Sequence, residues 1–236
     1  MKVFMNQPNY LPWYGFMGMM SQADVFLVMD EIQYEKEEWQ NRNRITSSNP
    51  KRWEWITVPV SASSKSKISE VSSVGAWRKQ HISQIHHAYS RAAYYECVSG
   101  DIYSAIWGST NSLLDIDMRS TKTLMEVLDF KPDIKYMSDL GCTSKNQQLV
   151  QDLAGSVGAD QIIVPKNALK YWDLSKKTSQ DLLIHEFPDI SYKHLNIFVP
   201  RLSVIDMLFN LGPKTSRNLI MDYEKYAITE VIHGTG

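Results

Sequence analysis

Cysteine is scarce in this chain of 236 residues, with only Cys97 and Cys142. They lie far apart and form no CxxC pair, which excludes a disulfide framework and a zinc site built on paired thiolates. Each reads as a small buried hydrophobe. An excess of one charge is missing too: 25 Lys and Arg against 26 Asp and Glu leave a formal net charge of -1. Nothing here attracts nucleic acid or anionic lipid in general, so no nucleic-acid partner is expected and any anion must be held by a local cluster of cations. No apolar run approaches the roughly 18 residues that suggest a membrane span. The opening MKVFMNQPNY lacks the apolar core of a signal peptide, so a cytoplasmic location is the expectation. Neither GxGxxG nor GxxxxGK[ST] occurs, which excludes a standard dinucleotide or P-loop site. His81 and His86 are five residues apart, a spacing that does not stack two ligands on a helix, so no metal and no cofactor is expected.

What is present suits an ordered globular fold: 43% of residues are hydrophobic and 22% charged. The length can bury a full core, and with no internal repeat or strong linker residues 1–236 read as one α/β domain. Lys2 to Met5 reads as a strand, and a helix runs from about Pro12 to Gln22, proline being tolerated at a first helical position. Val25 to Met29 is a continuous apolar run of the kind found in parallel strands buried on both faces, which completes a βαβ opening. Trp53 to Val58 reads as a strand ended by Pro59, and Arg42 and Arg44 alternate on one side of a further strand. Residues 61–73, rich in Ser and Lys, read as an exposed loop and candidate lid. Helical spacing of apolar residues then gives three helices within an insertion at about 76–130. A second βαβ unit follows, with strands at 133–137 and 160–164 around a helix capped by Ser144. Ser203 and Asp206 resemble a capping box for a helix Val204 to Leu211 stopped by Gly212-Pro213, and the chain after Ile228 reads as a loose tail. The expected architecture is Rossmann-like, a mostly parallel sheet of βαβ units with that helical insertion.

Ligands of open α/β sheets bind beyond the carboxyl ends of the strands. Here those ends are Gln7-Pro8-Asn9-Tyr10 and Asp30-Glu31-Ile32-Gln33. Backbone N–H groups near Pro12 to Tyr14 are expected to face the same crevice, where a helix start favours phosphate. The densest polar cluster is Trp39-Gln40-Asn41-Arg42-Asn43-Arg44, with Lys51 and Arg52 behind it. Arginine's planar fork suits phosphate, which assigns that role to Arg42 and Arg44. Gln7, Asn9, Gln33 and Asn43, each both donor and acceptor, are the candidates for reading sugar hydroxyls. Tyr10, Trp13 and Trp39 offer rings for stacking. For proton transfer the candidates are Asp30, where desolvation at the end of a buried strand raises a carboxyl pKa, and His81, whose ring titrates near neutrality.

The string QPNYLPWYGFMGMMSQADVFLVMDEIQYEKEEWQNRNRI, residues 7–45, closely resembles the opening of the WbqC-like family. The likeness continues in WITVPV at 55–60, in the Trp77-x3-His81-x7-Tyr89 pattern, around Gly158-Ala159 and in FVPRLSVIDMLFNLGP at 198–213. Where the family carries a glycine-containing YLSG-type segment, this chain has Ile163-Val164-Pro165-Lys166. The resemblance implies a place in bacterial O-antigen or other surface-polysaccharide synthesis and a sugar-linked substrate. The favoured reaction is transfer of an acyl or aminoacyl group from an activated donor to the amine of a nucleotide-linked sugar, because the site is basic, aromatic and rich in amides. Glycosyl transfer, or sugar-nucleotide binding without chemistry as a scaffold, are the alternatives, and the oligomeric state is left open.

Overall fold

The computed structural model describes residues 1–47, 53–63, 65–176, 178–186, 188–192, 199–222 and 227–234. In chain order the first half holds β1 (Lys2–Asn6), α1 (Tyr14–Ser21), β2 (Val25–Val28), β3 (Arg42–Thr46), β4 (Trp53–Thr57), β5 (Val60–Ser61), β6 (Ser72–Ser73), α2 (Trp77–Tyr89) and α3 (Tyr95–Ile106). The second half holds α4 (Leu113–Val127), β7 (Asp133–Tyr136), α5 (Asn146–Ser156), β8 (Gln161–Pro165), β9 (Asp181–His185), α6 (Val204–Met221) and β10 (Ile228–Ile232). Lys51 and Arg52, part of the expected basic cluster, lie outside the described residues.

Among the described residues one sheet of six strands runs in the order β10-β9-β8-β1-β2-β7. All neighbours are parallel except β10, which pairs antiparallel with β9. This is a mixed α/β architecture with a mostly parallel central sheet. From β1 the chain builds outward through β2 to β7, then crosses back to lay β8 on the other side of β1. The direction of growth therefore reverses at β1, and the carboxyl ends of β1 and β8 flank that reversal.

Period-2 alternation divides the sheet's side chains between two apolar layers. Val3, Met5, Val25, Leu27, Ile162 and Val164 point to one face, where Leu153 and Ala154 of α5 cover them. Phe4, Phe26, Val28 and Ile163 point to the other, where they join α1, α6 and the helices α2 to α4 in a much larger core. Phe4, Phe16 and Phe26 meet there at ring separations of 5.3 to 5.7 Å. Because every strand residue from Val25 to Val28 is buried, no polar alternation survives in β2.

Several local expectations are corrected. The 61–73 stretch is no free lid: Ile68 and Val71 are buried in the large core, and Lys67 pairs with Glu31. Its backbone is stitched too, with Ile68 N donating to the Ile32 carbonyl at 3.0 Å. The stop at Gly212 stands: at φ 77° and ψ 166° it ends the stretch from Val204 to Leu211, and what the sequence does not announce is the second helical stretch that Pro213 opens to Met221 within the α6 range, as proline suits a first turn. A side chain at Gly212 would meet the Tyr94 ring at 2.6 Å. Ser144 does not cap α5; it hydrogen-bonds Asp152, and Lys145 holds the cap position. Beyond Ile228 the chain is the edge strand β10.

Candidate functional site

The carboxyl end of β1 is roofed by the segment that leads from β2 into β3. Tyr10 N donates to the Trp39 carbonyl at 3.2 Å, and the buried Gln40 bonds both Gln7, through its amide, and the Glu35 backbone N–H at 3.0 Å. Asn9 donates to the Gln7 carbonyl at 3.0 Å. Gln7 and Asn9 are thus half-buried parts of this roof. Asn43 is 1% exposed, and its amide donates to the carbonyls of Tyr10 and Leu11 at 3.2 and 2.8 Å. It clasps the turn in which Leu11 adopts φ 44°, a left-handed conformation costly for leucine.

The start of α1 is closed rather than open to a ligand. Trp13 pairs with Ser203, Val204 N donates to the Pro12 carbonyl at 2.9 Å, and Tyr14, Gly15 and Phe16 are all buried. Gly15 lets the Trp13 indole lie against the helix, since a Cβ there would stand 2.4 Å from the ring.

Asp30 is 2% exposed and accepts from Ser138, at 3.1 Å from the backbone N–H and 2.7 Å from the hydroxyl, which ties the carboxyl end of β2 to that of β7. His81 is equally buried. Its Nε2 faces the Thr57 carbonyl at 3.0 Å, an acceptor only, so Nε2 carries the proton. Nδ1 must then accept from the Tyr10 hydroxyl, 2.9 Å away. Desolvation pulls the His81 pKa down to about 4, partly offset by the Thr57 bond, so the ring is neutral at pH 7. Burial pushes the Tyr10 hydroxyl well above the usual tyrosine range.

Arg42 and Arg44 stand apart from these residues, on the outer face of the hairpin β3–β4. In the hairpin register Arg44 lies opposite Trp55, and Thr46 opposite Trp53. The Arg42 guanidinium lies 4.0 Å over the Trp55 ring, and that of Arg44 lies 5.1 Å over Trp53 and 5.4 Å over Trp39. Trp55 is 5.5 Å from Trp39 and 5.3 Å from Trp53. The result is a ladder of alternating cations and indoles in which Trp39 and Trp53 remain 39% and 40% exposed. Among the described residues neither guanidinium meets a carboxylate, and Nε of each has no partner. Burial, and to a lesser degree the charge of Arg201, pull the Arg44 pKa down. Arg201 is itself paired with Asp189 at 3.2 Å.

The expected site residues therefore fall into three places: Gln7, Asn9, Tyr10, Asn43 and His81 in the roof and beneath it, Asp30 on Ser138, and Trp39, Arg42 and Arg44 in the ladder. Exposed Gln33 pairs with Lys67 and lines an opening of about 570 Å³ with Tyr34, Lys36 and Val60. Trp53 and Trp55 belong to the ladder and are additions to the expected set; their spacing of two in β4, which puts both on the face of Arg44, is the signal for them. Asp115-Ile116-Asp117 has an Asp-x-Asp spacing suited to shared metal binding, but α4 separates the pair. Asp115 is exposed and accepts from Thr110, while Asp117 is fully buried.

A mostly parallel α/β sheet with a roofed strand end and a cationic aromatic ladder defines the class. The chain belongs to the WbqC-like protein family, whose model matches residues 7–218. It is similar to the "Uncharacterized protein Rv1507c" of Mycobacterium tuberculosis (strain ATCC 25618 / H37Rv), 27% identical over 235 residues, covering 95% of this chain and 98% of that protein. No solved structure matches it.

Proposed function

We propose that this protein is a transferase acting on a nucleotide-linked amino sugar in surface-polysaccharide synthesis, and that its sheet is Rossmann-like. Numbering the sheet strands as the chain forms them, the order is 3-2-1-4-5-6, with the last antiparallel. That order reverses at β1, and crevices at such reversals are where nucleotides bind. The observation that carries the reading is the ladder: Arg42 and Arg44 each spend one terminal nitrogen on a backbone carbonyl, of Glu37 and of Arg201, and keep further donors for a diphosphate, while Trp39, Trp53 and Trp55 offer ring faces.

For acyl or aminoacyl transfer the sugar amine attacks the acyl carbon, the bond to the donor's leaving group breaks, and the amine proton passes to a base. Of the two expected bases, His81 has its one acceptor nitrogen filled by Tyr10, whereas the Asp30 carboxylate keeps lone pairs beyond the two bonds from Ser138. Asp30 is the base in this reading. Its enclosure supports a second reading, sugar-nucleotide binding without chemistry.

The test combines thermal shift and turnover. A nucleotide-linked sugar should raise the melting temperature of the wild type and barely raise that of Arg42→Ala/Arg44→Ala, because ligand binding to the native state stabilises it. With an activated acyl donor, wild type should convert an amino-sugar nucleotide, and Asp30→Asn should bind it with turnover reduced by about 10²- to 10⁴-fold. Equal thermal shifts would remove the ladder from the site. Binding without product from any donor would leave the non-catalytic reading.

A further inference from the structure

β7 is an end strand of the sheet: it pairs with β2 and, among the described residues, with no other strand. Asp133 N donates to the Asp24 carbonyl at 2.9 Å, toward β2. Backbone groups of successive strand residues face opposite sides, so the N–H and C=O of Ile134 face outward, away from the sheet. The side chains divide as well. Asp133 and Lys135 stand on the face shared with Val25 and Leu27, exposed and paired with each other at 3.1 Å. Ile134 and Tyr136 turn to the other face and pack half-buried against the large core. Beside this edge the end of α4 and the loop after it leave an opening of about 1000 Å³, lined by Met125, Phe130, Pro132 and Ile134 and by the exposed Lys122 and Glu126, one turn apart on α4.

An open edge recruits whatever strand can match it, and the charges on this one restrict the match. The order Asp133-Ile134-Lys135 is its own complement in an antiparallel pair centred on Ile134. There Ile134 meets Ile134 of a second copy as a hydrogen-bonded pair, each donating an N–H to the other's carbonyl. Each Asp133 then lies directly opposite Lys135 of the other copy, a favourable cross-strand pair. Centring the pair on either neighbour would instead set Asp133 against Asp133 or Lys135 against Lys135, which is unfavourable. The two-fold axis of the favoured register also makes the two α4 helices antiparallel, the direction in which the order Lys122, Glu126 is again its own complement. A strand pair alone is a small contact, and the apolar opening beside it enlarges the surface available to a partner.

We propose that the β7 edge is a dimer interface, on which a second copy of this chain lays its own β7 in the register centred on Ile134, continuing the sheet across both copies and closing the opening beside α4 between them. The charge order selects a second copy over an unrelated strand.

Analytical ultracentrifugation of the full chain tests it. Wild type should sediment with the mass of two chains. Asp133→Lys sets Lys opposite Lys, and Lys135→Asp sets Asp opposite Asp, so each variant alone should sediment as a single chain, its self-association weakened about a hundredfold or more. Both side chains are exposed, so the circular dichroism of each variant should match that of wild type. Mixing the two variants makes every cross-strand pair an Asp–Lys pair again, and the mixture should regain the mass of two chains. Amide exchange reads the register: the Ile134 N–H should be protected in wild type and in the mixture and exchange freely in either variant alone. Wild type with the mass of one chain overturns the proposal. So do variants that each pair as wild type does, which would put the dimer on another face, and a mixture of folded variants that stays at the mass of one chain.

Discussion

Asn43 Nδ2 lies 2.8 Å from the carbonyl of Leu11, so the side chain of a strand residue holds a left-handed leucine 32 residues earlier. Leu11 is itself fully buried, which fixes it from the other side. Asn43→Asp keeps the shape but turns a donor into an acceptor facing two carbonyls, and should destabilise the fold by about 2–3 kcal/mol. Urea unfolding with an unchanged midpoint would show that the turn is held elsewhere.

His81 makes stability depend on pH on the acid side. An unfolded histidine titrates near 6.5, whereas the buried ring takes its proton only near about 4. The unfolded chain therefore binds the proton first: the contribution of His81 is complete above pH 6.5 and is lost as pH falls toward 4. The loss amounts to about 3 kcal/mol. Denaturation of wild type and His81→Gln across pH 4 to 7 should show the two curves converging as pH drops; a constant gap would contradict the buried neutral ring.

Asp117 acts in the opposite sense. Its carboxyl is raised by burial, so the native state keeps the proton that the unfolded chain releases above about pH 3.9. Stability is highest below that pH and declines as pH rises toward the native pKa. Asp117→Asn cannot titrate, and its melting temperature relative to wild type should become more favourable between pH 4 and 7. A difference independent of pH would mean that the native carboxyl is ionised.

The ladder should separate binding from folding. Exposed cation–π contacts are worth about 0.5–1 kcal/mol each, so Arg42→Ala, with one, should shift the unfolding free energy by no more than about 1 kcal/mol and Arg44→Ala, with two, by no more than about 2 kcal/mol. Anion binding, followed by quenching of the clustered tryptophan emission, should weaken by far more and fall with salt. A stability loss as large as the binding loss would make the ladder a structural brace.

The opening of the sheet was legible because β1 and β2 are short apolar runs around a helix start, a pattern that survives burial on both faces. The roof was not. In β3 the buried positions are Asn43 and Ile45, and Arg42 and Arg44 flank them, so the polar letters that suggest ligand contact include one spent wholly on the fold. The ladder was half visible, since the partners of Arg42 and Arg44 come from another strand and only register brings them together. Asp117 carried a signal that went unread. Leu113, Ile116, Ser120, Thr121 and Leu124 share its buried stripe, and polar residues on such a stripe are a mark of a site or a network. The conformation of Leu11 has no local signal, because it is imposed by Asn43 and by the Ser120 hydroxyl from α4.

The central place of β1 also bears on synthesis. As the chain leaves the ribosome, β1 can pair with β2 after some two dozen residues, Val3 finding Val25. Its other edge waits for Gln161, the partner of Lys2. Until two thirds of the chain has emerged, the nascent sheet exposes an open, apolar edge at what becomes its middle, the kind of edge that recruits other chains. Slow translation after β2 should therefore lengthen the interval in which this protein depends on chaperones.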